Sequence, residues 1–225
     1  MGKDKLKRFE ENKTLTTLFE PVIEDVQVDY NLKGKWASEY FKNSNPVVLE
    51  LGCGRGEYTV GLAQKYPQRN FIGIDRKGAR IWRGAKTAHE DKLLNAAFLR
   101  TRLEYLRNCF AKDEVSEIWI TFPDPHLKLK NERRRLTSTF YLDMYRDIFQ
   151  PGGNIHLKTD NQYFYDYTLR IIKEGNHKLI FDTPDLYEDS CEEEAKDFQT
   201  FYEHIFLKEN TKIKYIKFQL HATAE

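Results

Sequence analysis

The stretch 46–51, Pro-Val-Val-Leu-Glu-Leu, is an apolar run broken only by Glu50, and it stops abruptly at Gly52-Cys53-Gly54-Arg55-Gly56. A run of strand length without polar alternation is the pattern of a parallel strand buried on both faces. The alternate glycines that follow permit a sharp backbone turn into a helix. That helix runs to about Tyr66 and is closed by Pro67; a second strand over 70–75 ends on Asp75. Parallel neighbours joined through a helix need a right-handed crossover, which commits the chain to an α/β fold.

The alternation continues downstream. Helical spacing over 77–91 precedes a strand over 96–101, a short helix ending near Phe110 and a strand over 118–122. Pro123-Asp124-Pro125-His126 reads as a loop, because two prolines flank the acid. Ser138 or Thr139 caps a helix reaching Phe149, and Pro151-Gly152-Gly153 ends it. A strand over 154–159, a helix over 161–174 and a strand over 178–183 follow. After a long acidic stretch over 184–203, the last strand, 212–220, alternates lysine with apolar residues as an edge strand would. The expected architecture is one doubly wound, mainly parallel, seven-stranded α/β sheet. It fills a single domain over 33–225, preceded by a polar, flexible tail over 1–32.

Composition sets the class. At 225 residues, 40% apolar and 32% charged, the chain is one soluble domain of ordinary size. No stretch approaches the roughly 20 consecutive apolar residues that span a bilayer. No apolar signal region follows the start, so a cytoplasmic location is expected. Cys53, Cys109 and Cys191 are scattered and odd in number, which suggests neither disulfides nor a metal site. The net charge of +1 hides a segregation. Lys3, Lys5, Lys7, Arg8 and Lys13 crowd the start, Arg76 to Lys86 follow the second strand, and Lys128 to Arg135 form the densest cluster. The acids gather near 188–194. Such a layout fits either a solvated mixed surface or one phosphate-attracting face.

Gly52, Gly54 and Gly56 give G-x-G-x-G, so the dinucleotide spacing G-x-G-x-x-G fails at Glu57. Glu50 and Glu57 would repel a pyrophosphate and welcome a cationic ligand; S-adenosylmethionine, with its ammonium and sulfonium, is one. Asp75, about 20 residues on, ends the adjacent strand where an acid accepts hydrogen bonds from ribose hydroxyls. The competing readings are a capping or salt-bridged Glu50 and an N-capping Asp75. Asp124 closes the fourth strand at the same edge, either as a ligand-facing acid or in an Asx-type turn. The basic residues within a dozen positions of it suggest a polyanionic substrate.

Pro123-Asp-Pro-His-Leu-Lys128 and Asn131-Glu-Arg-Arg-Arg-Leu136 resemble the P-D-P-W-x-K…K-R-R-L signature of the bacterial tRNA (guanine-N7-)-methyltransferases. Lys33-Gly-Lys-Trp36, Glu50-Leu-Gly-Cys-Gly54, Phe140-Tyr141, Ile155-His-Leu-Lys-Thr-Asp160 and Thr200-Phe-Tyr-Glu203 match further blocks in order. The resemblance covers roughly 33–218. It implies the class I S-adenosylmethionine-dependent methyltransferase fold and methyl transfer to N7 of the variable-loop guanosine, conventional position 46, of tRNA. By motif position Glu50, Gly52, Gly54, Asp75 and Asp124 lie on the cofactor side, with Asp124 also catalytic. Lys128, Asp160, Thr200 and Glu203 contact substrate. Thr101, between Arg100 and Arg102, stands where the family places an acid against the adenine, and His126 where it often has Trp.

Guanine N7 carries a lone pair and no proton, so its methylation needs no general base; positioning and electrostatics suffice. Phe122, His126 and Tyr163 are candidates for stacking on a splayed base, though packing roles compete. Two other readings stay open on the residues alone: a small-molecule or protein-arginine-type methyltransferase, and a non-catalytic RNA-binding subunit with a vestigial pocket.

Overall fold

The computed structural model describes residues 2–190 and 193–221; Met1, Cys191, Glu192 and 222–225 lie outside it. Its centre is the apolar run: β2 (Val47–Leu51), buried at every position, pairs in parallel with β3 (Asn70–Ile74) and β5 (Val115–Thr121). Beyond β3 lies β4 (Ala96–Leu99), and beyond β5 lies β6 (Phe149–Thr159), both parallel. Two antiparallel strands finish that side, β8 (Lys214–Gln219) against β6 and β7 (Lys178–Thr183) against β8. With β1 (Leu18–Phe19) on β4, the order is β1-β4-β3-β2-β5-β6-β8-β7.

Side chains alternate across each strand, so neighbours enter opposite cores. Leu49, Ile118 and Ile120 face one core, which α6 (Thr139–Arg146) and α7 (Gln162–Glu174) cover with Tyr145, Phe164 and Ile171. Val48 and Trp119 face the other, under α3 (Glu57–Lys65) and α4 (Gly78–Glu90), which contribute Tyr58, Leu62, Ile81 and Ala85. The sheet is doubly wound, mainly parallel, and eight-stranded rather than seven.

Three expectations need correction. The segment 1–32 is not a tail where it is described: α1 (Gly2–Asn12) docks on α4. Arg8 Nη1 donates to the Ala79 carbonyl at 3.2 Å, Trp82 Nε1 to Glu11 at 2.7 Å, and Thr17 Oγ1 to the Ala85 carbonyl at 2.7 Å. Of the polar residues that suggested a tail, Arg8, Glu11 and Thr17 make this seam. The strand β8 is internal, and β7 is the edge. Lys214, read as wet, is buried, its ammonium taken by the carbonyls of Asp160 and Lys212 at 2.9 and 3.0 Å. Finally, the acidic stretch closes on α8 (Phe201–Lys208), entered through a reciprocal capping box between Thr200 and Glu203.

Candidate active site

The turn after β2 is fixed from both ends. The amides of Gly52 and Cys53 donate to the Ile74 carbonyl at 2.8 and 3.0 Å, and Gly54 N donates to Asp75 Oδ2 at 3.0 Å. Gly52 has φ +72°, and a Cβ built on it meets nothing within 4 Å; it opens onto free space at the sheet edge. Gly56 is glycine for another reason: a Cβ there would lie 2.3 Å from the Phe98 ring and 3.1 Å from Gly84 Cα. It lets α3 and α4 approach, the packing role that sequence spacing left without a residue.

Asp75 lines the resulting cleft, an open space of about 460 Å³, within the usual range of small-molecule sites. Its Oδ1 accepts Lys77 N at 2.8 Å. With one amide on each oxygen, the carboxylate keeps lone pairs for ligand hydroxyls. Gly52, Thr101 and Asp124 line the same cleft; Gly54 lines a smaller adjoining pocket that also includes Gly52, Phe122 and Thr200. The acid missing at position 101 has a neighbour that sequence reasoning did not weigh. Glu104, on the 3-10 turn Leu103–Tyr105, also lines the cleft.

Glu50 does not face this space. Only 4% exposed, it accepts Thr121 Oγ1 at 2.8 Å on one oxygen, and Thr59 N at 2.9 Å and Thr59 Oγ1 on the other. Burial pushes its carboxyl up to about 7 in spite of those three donors. It ties the first turn of α3 to the end of β5 from beneath the glycine turn. A cofactor contact was expected of Glu50; the structure gives it a supporting place instead, close to the capping alternative.

Asp124 leaves 73% of its side chain exposed, while Oδ1 accepts His126 N at 3.0 Å. The Asx turn is therefore present, and the acid still faces the cleft. The loop is held open in an uncommon shape: Phe122 and His126 have φ +49° and +43°, a left-handed conformation that persists only under outside constraint. Arg135, wholly buried, supplies that constraint. Its guanidinium donates to the carbonyls of Pro125 and His126 at 3.0–3.2 Å and to the Tyr163 hydroxyl at 3.1 Å, over the Tyr167 ring at 4.3 Å. In the sequence Arg135 belongs to a run of surface cations, and only its place in the motif sets it apart.

The residues expected on the substrate side divide. Lys128 is exposed beside the 3-10 turn Leu129–Arg134 but does not line the cleft, whereas Arg134 does. Asp160 follows β6, its carbonyl held by Lys214. Thr200 caps α8 and lines the smaller pocket. Glu203 is wholly buried: its carboxylate takes the Lys158 ammonium at 2.7 Å and the Tyr187 hydroxyl at 2.8 Å. The expected substrate contact is corrected to an internal ion pair, and the capping box in Thr200-x-x-Glu203 was the signal for it.

A family model described as "Putative methyltransferase" matches residues 44–216. A protein of Christiangramia forsetii named tRNA (guanine-N(7)-)-methyltransferase is 47% identical over 97% of this chain and 99% of its own. One of the same name from Bacteroides fragilis is 46% identical over 98% and 87%. The chain belongs to the tRNA (guanine-N7-)-methyltransferase family. Among solved structures, the 16S rRNA methyltransferase KamB superposes with a TM-score of 0.62 at 17% identity, covering 84% of this chain and 92% of its own. That likeness gives this family member its fold and nothing finer. No described helix of the methyltransferase is long and apolar enough to cross a membrane.

Proposed function

We propose that this chain, acting in the cytoplasm, methylates N7 of the variable-loop guanosine of tRNA, conventional position 46, using S-adenosylmethionine. The observation that carries the reading is the meeting of Asp75, Gly52 and Asp124 in one cleft with Arg134 of the basic cluster on its wall. The cofactor fits what is there. Gly52 leaves open space against the backbone, and three carboxylates in the cleft suit hydroxyls and a cation. In this reading Asp75 holds the ribose, and Thr101 with Glu104 frames the adenine. S-adenosylmethionine, when bound, supplies an electrophilic methyl group.

The residues do the rest by placement. Asp124 accepts hydrogen bonds from guanine N1–H and the exocyclic amine, fixing N7 toward the cofactor side. Its negative charge also favours a ring that becomes cationic. Asp160, at the end of the neighbouring strand, is placed to add a second acceptor. Lys128 and Arg134 engage phosphates. Thr200 touches the substrate from the smaller pocket, and Glu203 acts only by keeping Thr200 in place.

Unmodified tRNA incubated with the protein and methyl-labelled cofactor, then digested for nucleoside mass spectrometry, tests the reading. The expected product is 7-methylguanosine, lost when position 46 carries adenosine. Label on another nucleoside, or none in RNA, would overturn it.

A further inference from the structure

The main cleft is lined by five lysine or arginine side chains and three carboxylates. The cofactor's single carboxylate can answer one of those cations at most, and a neutral guanine answers none. The cofactor is cationic, and methylation makes the guanine ring cationic too. Positive groups crowded around two cations are repulsive unless an anion shares the space.

Two separate segments supply the surplus. Arg134 belongs to the cluster after β5. Arg76, Lys77 and Arg80 come from the turn after β3 and the first turn of α4, and Arg80 reaches both the main cleft and the smaller pocket. In the sheet, β3 and β5 flank β2, so these segments stand on either side of the glycine turn. Arg83 extends the row: it is exposed and lies three residues from Arg80, on the same helix face.

The rest of this region treats its cations differently. Lys86 is paired with Glu11 and Glu90, Arg100 with Glu20, and Arg8 lies over the Trp82 ring with a bond to the Ala79 carbonyl. Among the described residues no carboxylate pairs with Arg76, Lys77, Arg80 or Arg83, although all four are exposed. The charges on the seam with α1 are spent internally, and those facing the cleft are left open.

From this we infer that Arg76, Arg80 and Arg83 form a second phosphate-binding lip, which grips the RNA backbone on the side of the cleft opposite Lys128 and Arg134. The inference rests on the RNA substrate proposed above and adds where that RNA runs: across the mouth of the cleft, clamped on both flanks of the target guanosine. Clamping from two sides explains how a base is held out of its stack while phosphates, not base edges, supply the affinity.

Binding of unmodified tRNA to the wild type, Arg83→Ala and Arg80→Ala/Arg83→Ala, followed across roughly 50–200 mM salt, tests the lip. The plot of log affinity against log salt should become shallower by about 1 for the single variant and about 2 for the double. The Arg80→Lys/Arg83→Lys variant should restore the slope, and cofactor affinity by calorimetry should stay within twofold of wild type. If tRNA affinity and slope are unchanged in the alanine variants while the wild type binds and methylates tRNA, the lip is wrong and the functional reading stands. A loss of cofactor affinity instead would assign the row to the cofactor's carboxylate and overturn the lip. A wild type that shows no salt-dependent tRNA binding would sink the functional reading itself.

Discussion

Asp124 and Glu203 sit on two segments that border the same glycine turn, yet the fold treats them oppositely. Asp124 is 73% exposed, on a loop kept open by a buried arginine; Glu203 is wholly buried, locked to Lys158. One strand anchors both. The Lys158 carbonyl accepts Phe122 N at 2.9 Å, fixing the start of the Asp124 loop, while its ammonium holds Glu203 and the Ala195 carbonyl at 2.7 Å. Burial pulls the Lys158 ammonium below its ordinary value, with Glu203 working against that pull. An acid in a family motif can thus face the substrate or build the wall behind it, and the motif alone does not say which.

The contrast breaks most easily at Glu203. Glu203→Ala leaves a buried ammonium uncompensated and should cost about 3–5 kcal/mol of stability in denaturant unfolding. Replacing both partners with apolar residues, Lys158→Met/Glu203→Leu, should recover most of that loss, because neither charge is then stranded. Unchanged stability with weakened tRNA binding would return Glu203 to the substrate side.

Asp124→Asn should do the reverse. The amide keeps the size and the exposed site, so stability should hold within about 0.5 kcal/mol. Turnover should fall by about 10²–10³, as when a preorganised transition-state contact is lost. Measured together, kcat and unfolding midpoint separate the two acids; near-wild-type turnover would remove Asp124 from the chemistry.

How much of this was legible in the sequence follows from the kind of signal involved. The doubly wound core was readable because 46–56 combines a buried strand with a glycine turn, and periodicity then repeats. Asp75 and Asp124 were placed at the cleft because each ends a strand at the carboxyl edge. The role of Glu50 was not legible. By pleat parity the Glu50 carboxyl lies on the same face as Val48, beneath α3, and its donors Thr59 and Thr121 come from positions 9 and 71 residues away. Arg135 was hidden likewise, since a burial partner such as Tyr167 lies on another helix. In the segment before Lys33, composition registers polarity but not that Glu11 and Arg8 face Trp82.

Glu50 is the intermediate case between the two acids, buried like Glu203 but, among the described residues, bonded to threonines rather than to a cation. Its carboxyl ordinarily ionises near 4.5 and in the fold near 7. Between those values the unfolded chain has released a proton that the folded protein still keeps. The stability from this group is therefore complete below about pH 4.5 and is lost as pH rises through 7, a change of about 3 kcal/mol at most. Glu50→Gln removes the titration and keeps one acceptor for the Thr59 amide, while the Thr121 hydroxyl can rotate to accept from the new NH₂. Unfolding of wild type and Glu50→Gln measured from pH 4.5 to 8 should give curves whose difference moves in favour of the glutamine variant as pH rises. Parallel curves would mean that Glu50 titrates like an exposed acid and that its burial under the glycine turn is not maintained in solution.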